Sequence, residues 1–185
     1  MNLHETSPQD WLTHADCVCS EQDIQSAISR LAQEITAELA EQNPLVYVVM
    51  NGGLIFAGQL LPQLRFPLEL AYLHATRYGM ETSGTTLEWK VHPRFDVKGR
   101  AVLLLDDILD EGHTLVAIQQ HLQELGAARI YTAVLSDKQH TRKAQPGLRA
   151  DFTGVEVPDR FLFGCGMDVR GYWRNLPAIY ALAGS

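Results

Sequence analysis

No apolar run in this 185-residue chain approaches the roughly 18 residues that a membrane-spanning helix needs. The opening stretch, MNLHETSPQD, lacks the basic-then-apolar order of a secretory signal, so the cytoplasm is the expected location. Cysteine is scarce. Cys17, Cys19 and Cys165 form an odd set, and the first two stand too close for an easy disulfide, which points to a reducing compartment. Positive charge is short as well: 15 Lys and Arg face 22 Asp and Glu, a formal net charge of -7. Surfaces built for nucleic acid or anionic membranes carry the opposite excess, so neither is expected as a main partner. Missing too are G-x-x-x-x-G-K-[ST] and G-x-G-x-x-G, which removes the ATPase loop and the dinucleotide fingerprint, and H-E-x-x-H and G-x-S-x-G. His4, His14, Cys17 and Cys19 crowd the N-terminal region, but their spacing fits no usual zinc site. There is no internal repeat and no low-complexity tract.

What is present reads as one well-cored domain, with 46% apolar and 20% charged residues. Over residues 21–42, Ile24, Ala27, Ile28, Leu31, Ile35 and Leu39 recur at three- and four-residue spacing behind Ser20, a good N-cap, and predict an amphipathic helix stopped by Pro44. Residues 45–50 (LVYVVM) read as a buried strand ending in Asn51-Gly52-Gly53, followed by a helix to about residue 61. Residues 67–75 (PLELAYLHA) predict another strand. The polar, glycine-containing stretch 76–86 (TRYGMETSGTT) predicts a mobile loop that closes as a lid. An edge strand is expected over 87–92, a turn over 93–99, and a fully buried strand over 100–105 (RAVLLL) that two aspartates end. A helix over 114–125 stopped by Gly126 and a strand over 130–135 (IYTAVL) complete the pattern. Strands alternating with helices imply an α/β fold. Its core would be a mostly parallel sheet of about five strands, joined by right-handed crossovers, with ligands beyond the carboxyl ends of the strands.

Residues 102–114 (VLLLDDILDEGHT) carry the chemistry: a buried strand, two carboxylates, two apolar residues, a third carboxylate, then a turn at a helix start. Unpaired N–H groups and the positive dipole end at a helix N-terminus suit a phosphate, Gly112 lets the chain approach closely, and the Thr114 hydroxyl adds a donor. Asp106 and Asp107 can accept hydrogen bonds from vicinal ribose hydroxyls or reach a hard cation.

This segment resembles the signature of the phosphoribosyltransferase family: an apolar strand, two acidic residues, two apolar residues, then Asp-Thr-Gly-x-Thr or a close variant. The resemblance to the hypoxanthine-guanine branch spans roughly residues 45–182. It implies phosphoribosyl pyrophosphate (PRPP) and a 6-oxopurine as substrates, with Mg2+. Asp106 and Asp107 would hold the ribose hydroxyls and assist the metal. The turn of Asp110, Glu111, Gly112, His113 and Thr114 would wrap the 5-phosphate, with Asp110 near the purine N7 as general base. Glu111 stands where many members have a hydroxyl residue and His113 where many have Lys, so backbone N–H groups are expected to carry most of the phosphate binding. Met50-Asn51-Gly52-Gly53 matches the pyrophosphate-binding loop, often built on a non-proline cis peptide, although relatives often have Lys or Arg at the position of Asn51. Arg77 and Tyr78 match the start of the lid.

In Leu135-Ser136-Asp137-Lys138, the same resemblance makes Lys138 the donor to the purine 6-oxygen, placed just past a strand end. Val157 to Gly164 (VPDRFLFG) is similar to the family's Pro-Asp-Lys-Phe-Val-Val-Gly. Phe161 would stack on the base and Leu162 would offer backbone groups to its edge. Asp168 matches a magnesium-binding Asp and Arg174 an Arg that reaches pyrophosphate. The implied architecture is a single phosphoribosyltransferase-type domain over 1–185, with a parallel-sheet core over about 21–150 flanked by helices. A small hood would come from about 1–20 and 151–185. A homodimer or homotetramer is the general expectation. Three other readings stay open here: a xanthine-preferring enzyme, a nucleotide-sensing RNA-binding regulator on the same fold, and a phosphoacceptor receiver domain.

Overall fold

Residues 7–77 and 87–184 are described by a computed structural model. The first long helix forms where the apolar spacing places it. Helix α1 (Pro8–Thr13) and strand β1 (Asp16–Cys19) precede it, and α2 runs Glu21–Leu39. Ser20 caps α2 as expected: its Oγ accepts from the Asp23 N–H (3.2 Å), while its own N–H donates to Asp23 Oδ2 (2.9 Å). Ile24, Ile28, Leu31, Ile35 and Leu39 are all fully buried, each worth about 1.5–3 kcal/mol of transfer free energy. The helix ends three residues sooner than residue 42, because the Gln42 N–H turns back to the Leu39 carbonyl and Asn43 adopts a positive φ of 45° ahead of Pro44.

The core sheet contains β2 (Leu45–Val49), β3 (Glu69–Arg77), β4 (Leu87–Val91), β5 (Ala101–Leu109), β6 (Arg129–Gln139) and β7 (Phe152–Pro158), in the order β4-β3-β2-β5-β6-β7. All neighbours run parallel except the edge strand β4, which pairs antiparallel with β3. α3 (Gly53–Leu60) lies on the connection from β2 to β3, and α4 (His113–Glu124) joins β5 to β6. Alternate residues of the central strands feed opposite layers. Val46, Val48, Leu103 and Leu105 pack toward α2 and α3, while Leu45, Tyr47, Val102 and Leu104 pack with Leu115, Ile118 and Leu122 of α4. That two-sided burial is why both strands read as unbroken apolar runs.

Boundaries close to the carboxyl ends of the strands also differ from the sequence expectation. β5 does not end at the aspartates but runs through Asp106 and Asp107 to Leu109, because β6 stays in register beside it (Ile108 opposite Ser136, Leu109 opposite Asp137) and Ser136 Oγ donates to the Asp107 carbonyl at 2.9 Å. Pairing with β7 on its other side (Lys138 opposite Val157, Gln139 opposite Pro158) carries β6 to Gln139, so Lys138 lies within the strand rather than past it. β7, beyond residue 150, pairs with β6 and extends the core sheet across the boundary expected there. The hood is a separate antiparallel sheet in the order β1-β9-β8, with β8 at Leu162–Phe163 and β9 at Ile179–Ala181. α1 seals it through a cluster of Trp11, Phe163, Val169 and Leu182. Of the expected lid over 76–86, Thr76 and Arg77 complete β3 and residues 78–86 lie outside the described residues. Among the described residues no helix is long and apolar enough to cross a membrane.

Candidate active site

From β2 the chain moves outward to β3 on one side, while β5 lies on the other, so the sheet's direction of winding switches between β2 and β5. Ligand crevices open at such a point. β2 pairs with β5 only as far as Val48 opposite Leu105, so the last residues of β5 face an open cleft on that side. The cleft, about 410 Å³, is lined by the 49–52 loop, His74 to Thr76, Asp106 to Asp110 without Leu109, Glu111 to Leu115, and Arg174. A smaller lobe of about 270 Å³ shares Asp107, Ile108, Asp110 and Arg174 with it and adds Lys138, Phe161, Leu162, Met167 and Asp168.

At the junction of the two lobes the packing is backbone-tight. The Met50–Asn51 peptide is cis, as the resemblance implied. A Cβ on Gly52 would overlap the Asp107 carboxylate, and a Cβ on Gly166 would strike the Gly52 carbonyl. Only glycine fits at 166, where φ is also 109°, while any side chain at 52 would displace the Asp107 carboxylate. Burial pushes the Asp106 carboxyl well above its ordinary range, and the neighbouring Asp107 charge adds to the rise. Asp107 is also pushed up by burial, opposed by its hydrogen bonds and by the Arg174 guanidinium. Arg174 donates to the Gly166 carbonyl (2.7 Å) and pairs with Asp168 Oδ1 (2.5 Å), while Asp168 Oδ2 accepts from the Gly171 N–H (2.6 Å).

The expected phosphate turn sits at the head of α4. Gly112 is its N-cap residue at φ 85°, and an added Cβ would press on Leu109 and Leu148. Glu111 and His113 stand 3.6 Å apart at Oε2 and Nε2, so the turn's acidic side chain faces its own histidine. Val116 N–H bonds the Gly112 carbonyl, beginning the helical ladder, and the first amides of a helix have no partner within it.

Asp110, 44% exposed, projects between two donors. Lys138 Nζ lies 2.7 Å from Oδ2 and His140 Nε2 2.7 Å from Oδ1. Burial alone would raise this carboxyl, but the hydrogen bonds from Lys138 and His140, with the lysine's charge, hold it below the ordinary carboxylate value. Phe161 is 47% exposed at the mouth of the smaller lobe. The Leu182 N–H bonds the Phe161 carbonyl (3.0 Å) and Leu162 sits opposite Ala181. Antiparallel pairing alternates, so the backbone groups of Leu162 turn away from β9.

The tertiary fold thus draws Asn51, Gly52, Asp106, Asp107, Asp110 to Thr114, Lys138, Phe161, Leu162, Asp168 and Arg174 around one cleft. Arg77 ends β3, and Tyr78 lies outside the described residues. Asp168 faces Arg174, and among the described residues no three His, Cys, Asp or Glu side chains converge as a ready-made metal cage. Sequence reasoning missed His140, Asp137 and Lys143. Lys143 Nζ donates to the carbonyls of Leu109 and Asp110 (both 2.8 Å) and to Asp137 Oδ1 (2.6 Å). The run KQHTRK, which begins in the last two residues of β6, is a visible polar cluster, but nothing local says which way it folds.

A family model for the phosphoribosyl transferase domain matches residues 18–169. The hypoxanthine-guanine phosphoribosyltransferase of Aquifex aeolicus is 37% identical over 163 residues, covering 86% of this chain and 90% of its own. The hypoxanthine-guanine-xanthine phosphoribosyltransferase of Tritrichomonas foetus is 32% identical over 160 residues, covering 86% and 87%. The solved structure of a hypoxanthine phosphoribosyltransferase from Staphylococcus aureus superposes with a TM-score of 0.85 at 28% identity, covering 96% of each chain.

Proposed function

This chain belongs to the phosphoribosyl transferase family, and from that premise we propose that it salvages purines, transferring the 5-phosphoribosyl group of PRPP to N9 of hypoxanthine or guanine. The products are IMP or GMP and pyrophosphate. The observation that carries this reading is the two-lobed cleft with Asp110 at its waist. On one side lies a phosphate turn on a helix N-terminus, and on the other a lysine and an aromatic ring. The relatives named above are all transferases, so an RNA-binding regulator or a receiver domain finds no support beside them. Xanthine remains the one competing base, on the name of the Tritrichomonas relative.

The turn of Asp110 to Thr114 would wrap the 5-phosphate through amides at the head of α4, with Thr114 adding its hydroxyl. Asp106 and Asp107 would accept from the ribose hydroxyls. The amides of Asn51 and Gly52, with Arg77, Tyr78 and Arg174, would hold the pyrophosphate, Arg174 after leaving Asp168. Phe161 would stack on the base, Leu162 would meet its edge through the backbone, and Lys138 would donate to the 6-oxygen. Held ionised by its two donors, Asp110 accepts the proton of N7 as N9 attacks C1 and pyrophosphate departs. Carboxylate oxygens at Asp106, Asp107 and Asp168 are the hard donors Mg2+ takes. Mg2+ typically takes one or two carboxylates and fills the rest of its shell with substrate oxygens and water. When bound, Mg2+ would neutralise charge on the leaving pyrophosphate.

On the same footing, the three free cysteines support a reducing, cytoplasmic setting. A homodimer or homotetramer would cover Leu70 and Tyr72, exposed together on one face of β3. The test is transfer of radiolabelled hypoxanthine and guanine with PRPP and Mg2+. Labelled nucleotide with one pyrophosphate per turnover is expected, and no nucleotide from either base would overturn the reading.

A further inference from the structure

Asp110 must keep its carboxylate aimed at the base while one of its two donors is called elsewhere. In the free protein Lys138 Nζ bonds Oδ2, but a bound 6-oxopurine offers that ammonium a second acceptor. The remaining partner is His140, whose ring is 3% exposed and whose Nε2 lies 2.7 Å from Oδ1. Its other nitrogen decides what that contact is. The Arg142 backbone N–H donates to His140 Nδ1 at 3.0 Å, so Nδ1 must keep its lone pair and the ring proton must sit on Nε2, pointing at Asp110. An Nδ1–H ring would set two N–H groups against each other.

The tautomer is supported from further out. Arg142 grips Asp159 through both guanidinium nitrogens (2.7 and 2.8 Å), two residues before Phe161. Lys143 and the Ala144 N–H fasten the backbone of the turn itself, the latter to the Glu111 carbonyl at 2.7 Å. The segment after β6 is therefore a strap with separate tasks: 143–144 hold the turn's backbone, 142 ties the strap to the base segment, and His140 alone reaches the reacting carboxylate. We propose that His140 is a positioning residue for phosphoribosyl transfer, an Nε2–H donor that keeps Asp110 oriented when Lys138 turns to the purine 6-oxygen. This rests on the transfer reading given above.

The experiment compares wild type, His140→Ala and His140→Gln in kcat and in KM for hypoxanthine and PRPP, each assayed well below its own thermal midpoint. Long-range 15N–1H NMR of the wild-type imidazoles reads the tautomer without reference to activity. A misdirected reacting group costs up to about 100-fold, so kcat of His140→Ala should fall on the order of 10-fold to 100-fold while KM for PRPP holds. His140→Gln, whose amide N–H can reach the same oxygen, should recover most of the loss. An Nε2–H tautomer for His140 is expected. Wild-type kcat in His140→Ala, a Gln variant no better than Ala, or an Nδ1–H tautomer would each overturn the proposal. A wild-type protein that makes no nucleotide refutes the transfer reading and with it the positioning role. The tautomer then still reports separately on the contact between His140 and Asp110.

Discussion

Replacing Lys138 by Gln tests base choice at a single atom. The Lys138 ammonium, 12% exposed and 2.7 Å from Asp110 Oδ2, is a permanent donor beside the expected place of the purine 6-position. A 6-oxo group accepts from it, whereas the 6-amino group of adenine is itself a donor. Sites built on one hydrogen bond reject an analogue lacking it by about 10⁴-fold to 10⁵-fold, so wild type should barely use adenine. A hydrogen bond to a charged group is worth about 1.5–3 kcal/mol. At about 1.4 kcal/mol per decade, Lys138→Gln should lose roughly 10-fold to 100-fold in kcat/KM for hypoxanthine and guanine. The same substitution also loosens Asp110, but that loss falls on every base and cancels in the ratio to adenine. The ratio should therefore narrow by about one to two decades, since only 6-oxopurines lose the contact and a glutamine amide can present either donor or acceptor. Phe161→Ala is the control, because stacking is shared by all purines and its loss should leave the ratio alone. The assay is kcat/KM for hypoxanthine, guanine, xanthine and adenine in the three proteins. Wild type using adenine as well as hypoxanthine, or a ratio unmoved by Lys138→Gln, would refute the assignment.

Asp110→Asn should leave PRPP binding by calorimetry nearly intact and lower kcat by about 10²-fold to 10⁴-fold, the usual worth of a placed acid or base; unchanged turnover sinks its role. Because the folded protein holds this carboxyl below its unfolded value, its pairing stabilises the fold above the ordinary carboxylate range and is lost as pH falls through the lowered value. Urea unfolding of wild type and Asp110→Asn should differ at pH 7 and converge in strong acid. Asp106 has the opposite sign: its raised carboxyl costs stability as pH climbs through that raised value, so Asp106→Asn should lift Tm at neutral pH, by roughly 2–4 °C per kcal/mol relieved, while losing transfer activity. A lower Tm, or a gap that widens in acid, contradicts the burial argument. Gly112→Ala should cost about 1–2 kcal/mol from the left-handed backbone alone, plus the push on Leu109 and Leu148, and weaken PRPP binding; a variant matching wild type in both Tm and titration would refute the tight turn.

The sequence by itself determined whatever is written in neighbouring residues. The stripe from Ile24 to Leu39 and the Ser20 cap specify α2, the unbroken apolar runs of β2 and β5 specify burial on both faces, and VLLLDDILDEGHT specifies a strand delivering carboxylates to a helix head. These signals are local because helical and strand periods are local. Tertiary structure decided whatever depends on register between strands. That β5 continues through Asp106 and Asp107 follows from its pairing with β6, and that β7 joins the core follows from its own pairing there; no window of sequence contains either partner. The same holds for Asp110 and His140, thirty positions apart, which meet because parallel strands β5 and β6 end side by side and the strap after β6 folds back across them. The close approach of Gly166 to the Gly52 carbonyl is likewise beyond any window of sequence, because the two loops are far apart along the chain. Distance along the chain says nothing about such contacts, since strands adjacent in a sheet bring their ends to within about 5 Å whatever length of helix joins them.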